Sequence, residues 1–99
     1  MTFTRSDYEM AAKAAGIEHD GVGYVSPNGL PMNWNPLDDD GDALRLAVAL
    51  GLLLTIGRVG ILVRKFCIVD IEELPGDDPC AATRLAIFRA AIAIGRDMP

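Results

Sequence analysis

The chain has 99 residues, 51% of them hydrophobic and 23% charged, which is room for one globular core and excludes both a disordered chain and a second domain. Fourteen acidic residues against nine Lys and Arg leave a formal charge of −5 and a sequence pI near 4.6. That balance argues against a general nucleic-acid binder, whose surface needs excess positive charge to hold phosphates.

The first predicted element is a helix from about Ser6 to Ala15, introduced by capping residues and stopped by Gly16. Tyr8, Ala11, Ala12 and Ala15 recur at helical spacing and make a narrow stripe that lets another element approach closely. Two strands follow, Gly21 to Ser26 and Leu30 to Trp34, around Ser26-Pro27-Asn28-Gly29, whose Asn-Gly pair is a strong hairpin signal. Pro31 cannot donate a ladder hydrogen bond, so the second strand is expected at an open edge. Helix two is predicted from Asp40 to Leu50, with acids at its start and Gly51 at its stop. Apart from Arg45 it is apolar almost all round, the mark of a central helix.

Leu52 to Ile56 and Gly60 to Glu72 read as a second strand pair about Gly57-Arg58-Val59-Gly60. One face of the longer strand carries Ile61, Val63, Cys67, Val69 and Ile71, broken only by Lys65; the other carries Leu62, Arg64, Phe66, Ile68 and Asp70. Asp78 then caps a third helix that opens with Pro79 and runs to about Gly95. Leu85, Phe88 and Ile92 mark its core stripe, and Ala82, Ala86, Ala90 and Ala93 give it a surface small enough for close helix packing. The order α-β-β-α-β-β-α, with no internal repeat, predicts a single α+β domain over 1–99: a four-stranded antiparallel sheet with helices on one face. Its expected core is Trp34, Leu44, Val48, Val63, Val69, Leu85, Phe88 and Ile92.

No catalytic, metal or cofactor centre is expected. His19, the single histidine, reads as a surface residue before a strand start, and Ser6 and Ser26, the only serines, sit at cap or turn positions, so a hydrolytic triad has no support. Gly21-Val22-Gly23 and Gly57-Arg58-Val59-Gly60 lack the strand, glycine loop and helix order of phosphate-binding motifs. Cys67 and Cys80 have no zinc or redox spacing and read as free thiols, although a thiol in a first helical turn is acidified by the helix dipole. The acids of Asp38-Asp39-Asp40-Gly41-Asp42 suggest calcium, but an EF-hand loop with Gly41 as its invariant glycine would place Pro36 and Ala47 at ligand positions. Helix capping is the better reading. Arg45, Arg58 and Arg64 interrupt the most apolar region, so no membrane span is expected, and the first residues lack the apolar core of a secretory signal.

Trp34-Asn35-Pro36-Leu37 with the acidic turn and the helix Ala43 to Val48 resembles the NinX-like proteins of tailed bacteriophages, and Asp78-Pro79-Cys80-Ala81-Ala82-Thr83-Arg84-Leu85-Ala86-Ile87 is similar to the C-terminal helix of that family. The resemblance covers about a third of the chain. It implies a phage or prophage origin and residence in the bacterial host cytoplasm, but no activity. The expected function is therefore that of a non-enzymatic accessory protein that binds a host or phage protein, a defence protein among the possibilities. Leu62, Arg64, Phe66, Ile68 and Arg58 are the expected partner-binding residues, and self-association as a homodimer is expected through Leu62, Phe66 and Ile68 on the outer face of the long strand, helped by the Ala surface of helix three. The alternative is an oligomer that sequesters a small anion or nucleotide signal, using Trp34, Asn35, Arg45, Arg84 and Arg89. Arginines that converge on a pocket favour the ligand; scattered ones favour a macromolecule.

Overall fold

A computed structural model describes residues 3–19, 23–25, 31–65 and 69–98. Its elements are α1 (Arg5–Ala14), β1 (Glu18–His19), β2 (Tyr24–Val25), β3 (Pro31–Met32), α2 (Asp40–Leu50), β4 (Leu53–Ile56), β5 (Ile61–Lys65), β6 (Val69–Glu73) and α3 (Pro79–Asp97). The class is α+β, but the single four-stranded sheet is replaced by two antiparallel three-stranded meanders, β1-β2-β3 and β4-β5-β6.

Two features produce the difference. Glu18 and His19 carry no strand-like pattern, yet they pair with Val25 and Tyr24 and add β1. The run from Gly60 to Glu72 is not one strand: Lys65 pairs with Val69, so the chain reverses between them. Lys65-Phe66-Cys67-Ile68 contains none of the Gly, Pro, Asn or Asp that announce a turn. The Gly57–Gly60 turn forms as expected, with the Gly57 N–H donating to the Gly60 carbonyl at 3.0 Å, whereas the Asn28-Gly29 turn lies outside the described residues. Trp34, expected in a strand, follows β3 in the connection to α2. Pro31 does lie on an edge strand.

The helix boundaries follow local chemistry. Thr4 caps α1 in a reciprocal box with Asp7: the Asp7 N–H donates to the Thr4 hydroxyl and the Thr4 N–H to the Asp7 carboxylate, at 3.2 and 2.9 Å. That backbone donor, with Arg96 at 3.1 Å, holds the Asp7 carboxyl below its ordinary range. Asp39 caps α2 and Asp78 caps α3. Both α1 and α2 end through a glycine with positive φ, Gly16 at 73° and Gly51 at 65°. The following amide then reaches back to a helical carbonyl, Ile17 to Ala12 at 2.8 Å and Leu52 to Ala47 at 3.0 Å.

α3 is the element against which α1, α2, β5 and β6 all pack. Its contact with α1 is close because Ala11, Ala86, Ala90 and Ala91 are buried and Gly95 has no Cβ. A methyl at Gly95 would fall on the Met10 carbonyl oxygen. Trp34, Val63, Val69, Phe88 and Ile92 are buried as expected, and Leu85 is half-buried. Leu44 and Val48 are not core: they are 57% and 73% exposed, and α2 buries Ala43, Leu46, Ala47 and Leu50 instead. The helix is therefore superficial, with a second apolar stripe facing outward. Its uniform apolarity reflects two faces of different fate.

Candidate functional site

The acidic turn is a structural joint. The Asp39 carboxylate accepts the Asp42 N–H at 2.8 Å, and Asp42, only 7% exposed, accepts the Asn35 N–H at 2.8 Å and Arg45 Nη2 at 2.6 Å. Asp38 accepts Asn35 Nδ2 at 3.2 Å. Arg84, one turn into α3, donates Nε to the Leu37 carbonyl at 2.8 Å and Nη1 to Asp40 at 2.5 Å. Each of the four acids is thus occupied by protein partners, Asp39 as the helix cap and the other three by Asn35, Arg84 and Arg45. The bond to Asp42 strengthens the hold of Arg45 on its proton, and the bond to Asp40 does the same for Arg84. No group of three or more His, Cys, Asp or Glu residues among the described ones is arranged to hold a metal.

Trp34 stands beneath rings rather than in solvent. Tyr24 lies 5.0 Å away, Tyr8 6.4 Å and Phe88 6.5 Å between centroids, and Phe3 and Tyr8 each approach Phe88 to 4.9 Å. His19 completes the chain of rings at 5.0 Å from Tyr24. These edge and tilted contacts tie the small first sheet to α1 and α3. They leave the indole without a free stacking face.

The other expected site residues are dispersed. Arg45 lies on α2, Arg84 at the acidic turn, Arg89 in an ion pair with Glu73, and Arg64 beside Asp70 at 3.4 Å across β5 and β6. Arg58 projects from the β4–β5 turn. They do not converge on one pocket. Leu62 is half-buried on the outer sheet face, and Phe66 and Ile68 lie outside the described residues.

The feature that the sequence reading passed over is a groove of about 290 Å³ between the N-terminal halves of α2 and α3 and strand β4. Leu44 forms its α2 wall, Leu54 and Ile56 its floor, and Pro79, Thr83 and Ile87 its α3 wall. Cys80 is exposed at the rim, and the Asp40–Arg84 pair closes one end. The registers Leu54↔Val63 and Ile56↔Ile61 put the floor residues on the helix-facing side of the sheet, yet Ile56 is 60% exposed because no helix covers that corner. The excess apolarity of α2 was the signal: a helix with two apolar stripes has one to spare.

No family model, curated protein or solved structure matches this chain. Among the described residues no helix is long and apolar enough to cross a membrane.

Proposed function

We propose that this protein acts by binding rather than by catalysis, and that the groove between α2, β4 and α3 receives an apolar segment of a protein partner. The observation that carries this reading is the open apolar groove itself, walled by rigid elements and rimmed by the Asp40–Arg84 pair. A concave apolar site with a few fixed polar groups is suited to a side-chain cluster from a helix or an extended segment. The arginine distribution supports a macromolecular partner over anion capture, because Arg45, Arg64, Arg84 and Arg89 are each already neutralised by an acid. The resemblance to phage accessory proteins supplies the setting, in which the partner is a host or viral protein of the bacterial cytoplasm.

The test is affinity capture from infected and uninfected bacterial lysates with the whole chain as bait, read by mass spectrometry for proteins and for retained small molecules. Leu44→Glu puts a charge on the groove wall and Thr83→Trp fills the groove. A captured protein should lose at least tenfold of its affinity to both variants and none to Glu72→Gln on the outer sheet face. A partner that both groove variants retain, or a small anion retained in place of any protein, overturns the reading.

A further inference from the structure

The two meanders expose four sheet edges, and three of them are guarded against pairing. The β1 edge carries Glu18 and His19, β3 carries Pro31, and β6 carries Asp70, Glu72 and Glu73. Charged side chains and proline are the usual protections of an exposed edge. Strand β4 has none: it reads Leu53-Leu54-Thr55-Ile56 and, among the described residues, pairs only with β5. Leu53 and Ile56 are 63% and 60% exposed.

The hydrogen bond from Gly57 to Gly60 sets the phase of the β4–β5 ladder. Narrow and wide pairs alternate from there, so Thr55 and Leu53 direct their backbone groups to β5 while Leu54 and Ile56 direct theirs to the open edge. From this phase we infer that two copies of the chain associate through antiparallel β4 strands about a two-fold axis at Thr55, making one continuous six-stranded sheet. In this register Leu54 exchanges both backbone hydrogen bonds with Ile56 of the second copy, and Ile56 with Leu54. Thr55 faces Thr55. Side chains directly opposite must lie on the same sheet face, and Leu54 and Ile56 do. An axis at Leu54 would need Leu52 as the outer donor, but its amide is already committed to Ala47.

Charge and area agree with that register. Of the seven arginines, Arg58 alone among the described residues lacks an acidic partner. The register places it opposite Leu52 of the second copy, beside the C-terminal end of that copy's α2, whose last turn contains no basic residue. A cation is stabilised there by the helix dipole, as Lys65 already is where it donates to the Leu50 carbonyl. Leu44 of α2 lines the groove together with Leu54 and Ile56 of β4, and exposed Val48 lies one turn further along the same stripe, so both border the open edge, with Ile56 on its helix side and Leu53 on its outer side. At about 100 Å² for each of Leu44, Val48, Leu53 and Ile56, the two copies together supply about 800 Å² of apolar surface, to which the paired strand edges and Arg58 add, near the lower limit of a specific interface. Ile56 on each groove floor would then adjoin Leu54 of the other chain, so each groove gains a wall from its neighbour.

Sedimentation or light scattering of the whole chain at tens of micromolar should give twice the chain mass. Thr55→Cys is the register test: residues facing each other in a wide pair have Cα atoms about 4.5 Å apart, within disulfide range. Mild oxidation of that variant should therefore join the two introduced thiols, one from each copy, in most of the protein, as read by peptide mapping. Ile56→Pro removes an outward amide without touching the β5 ladder and should weaken dimerisation at least tenfold, whereas Ile56→Val should leave it intact, both with unchanged circular dichroism. A monomeric wild type overturns the inference, and so does a dimer in which Thr55→Cys fails to cross-link; the cysteine result stands even if the proline variant does not fold. None of these readouts depends on a groove partner, so failure here and failure of the binding reading are separable.

Discussion

The first helix–meander half of the chain and the second use the same connection and end in different materials. In both, a helix stops at a positive-φ glycine, the next amide bonds back to an alanine carbonyl, and three antiparallel strands follow. The first meander has two-residue strands and is held to the core by rings, Tyr24 on Trp34 and Trp34 near Phe88. The second has longer strands, and Ile61, Val63 and Val69 press an aliphatic face against α3. Among the described residues the first sheet supplies few ladder bonds, and its hold on the core comes through side chains of α1 and α3 as well as its own. Continuous strands bring their own apolar face.

That contrast is broken most severely by removing Phe88, which is fully buried and touches Phe3, Tyr8 and Trp34. Phe88→Ala should cost about 3–5 kcal/mol by chemical denaturation. The amides of β1 and β2 should lose hydrogen-exchange protection before those of β5. A cost under about 1 kcal/mol, or uniform loss of protection, would mean that the rings do not anchor the first sheet.

The joint between the halves comes next. Asp42 on α2 holds the amide of Asn35, which follows the first meander. Asp42→Ala should destabilise the chain by about 1–3 kcal/mol, since it strands a partly buried donor, while Asp38→Ala on the exposed side of the same turn should change stability by less than about 0.5 kcal/mol. Equal effects would reduce the joint to general acidity.

The smallest effect belongs to alkaline pH and sharpens the comparison because it touches one half only. Burial, with Asp38 adding to it, raises the Tyr8 phenol above its ordinary value of 10.0, and burial with Glu9 does so for Tyr24. The unfolded chain therefore loses these protons first. Stabilisation from the neutral phenols is complete below pH 10 and fades as pH rises through the native values. The melting temperature should fall above pH 10, with protection lost at Tyr24 ahead of Val63. Tyr8→Phe should flatten the decline, and a slope unchanged in that variant would dissociate Tyr8 from it.

How far the sequence announced all this varies with the local signal. The span of helix α2 was legible, because the acids at its start and Gly51 at its stop are capping types. The β5–β6 reversal was not, since the residues between Lys65 and Val69 carry no turn chemistry. The burial pattern nevertheless survived that error. Ile61 pairs with Glu73, Val63 with Ile71 and Lys65 with Val69, so odd-numbered residues share one face whether the chain runs straight or folds back. The groove was hidden for another reason. Periodicity locates apolar faces but not the neighbours available to cover them, and of the two such faces of α2, α3 covers one. The clamp by Arg84 joins residues 47 apart in sequence, beyond the reach of any local pattern.

Since α3 is the last of the described elements and lies at the centre of the packing, its place in the chain matters during synthesis. A polypeptide leaves the ribosome from its N-terminus, so both meanders and both earlier helices emerge before the helix that covers them. Ala11, Trp34, Val63 and Val69 must wait in solvent, or in the hands of a chaperone, until Phe88 clears the exit tunnel. Arg84 emerges only shortly before it, so the acidic turn is locked at nearly the same moment as the core closes. The native core therefore closes only once α3 has emerged.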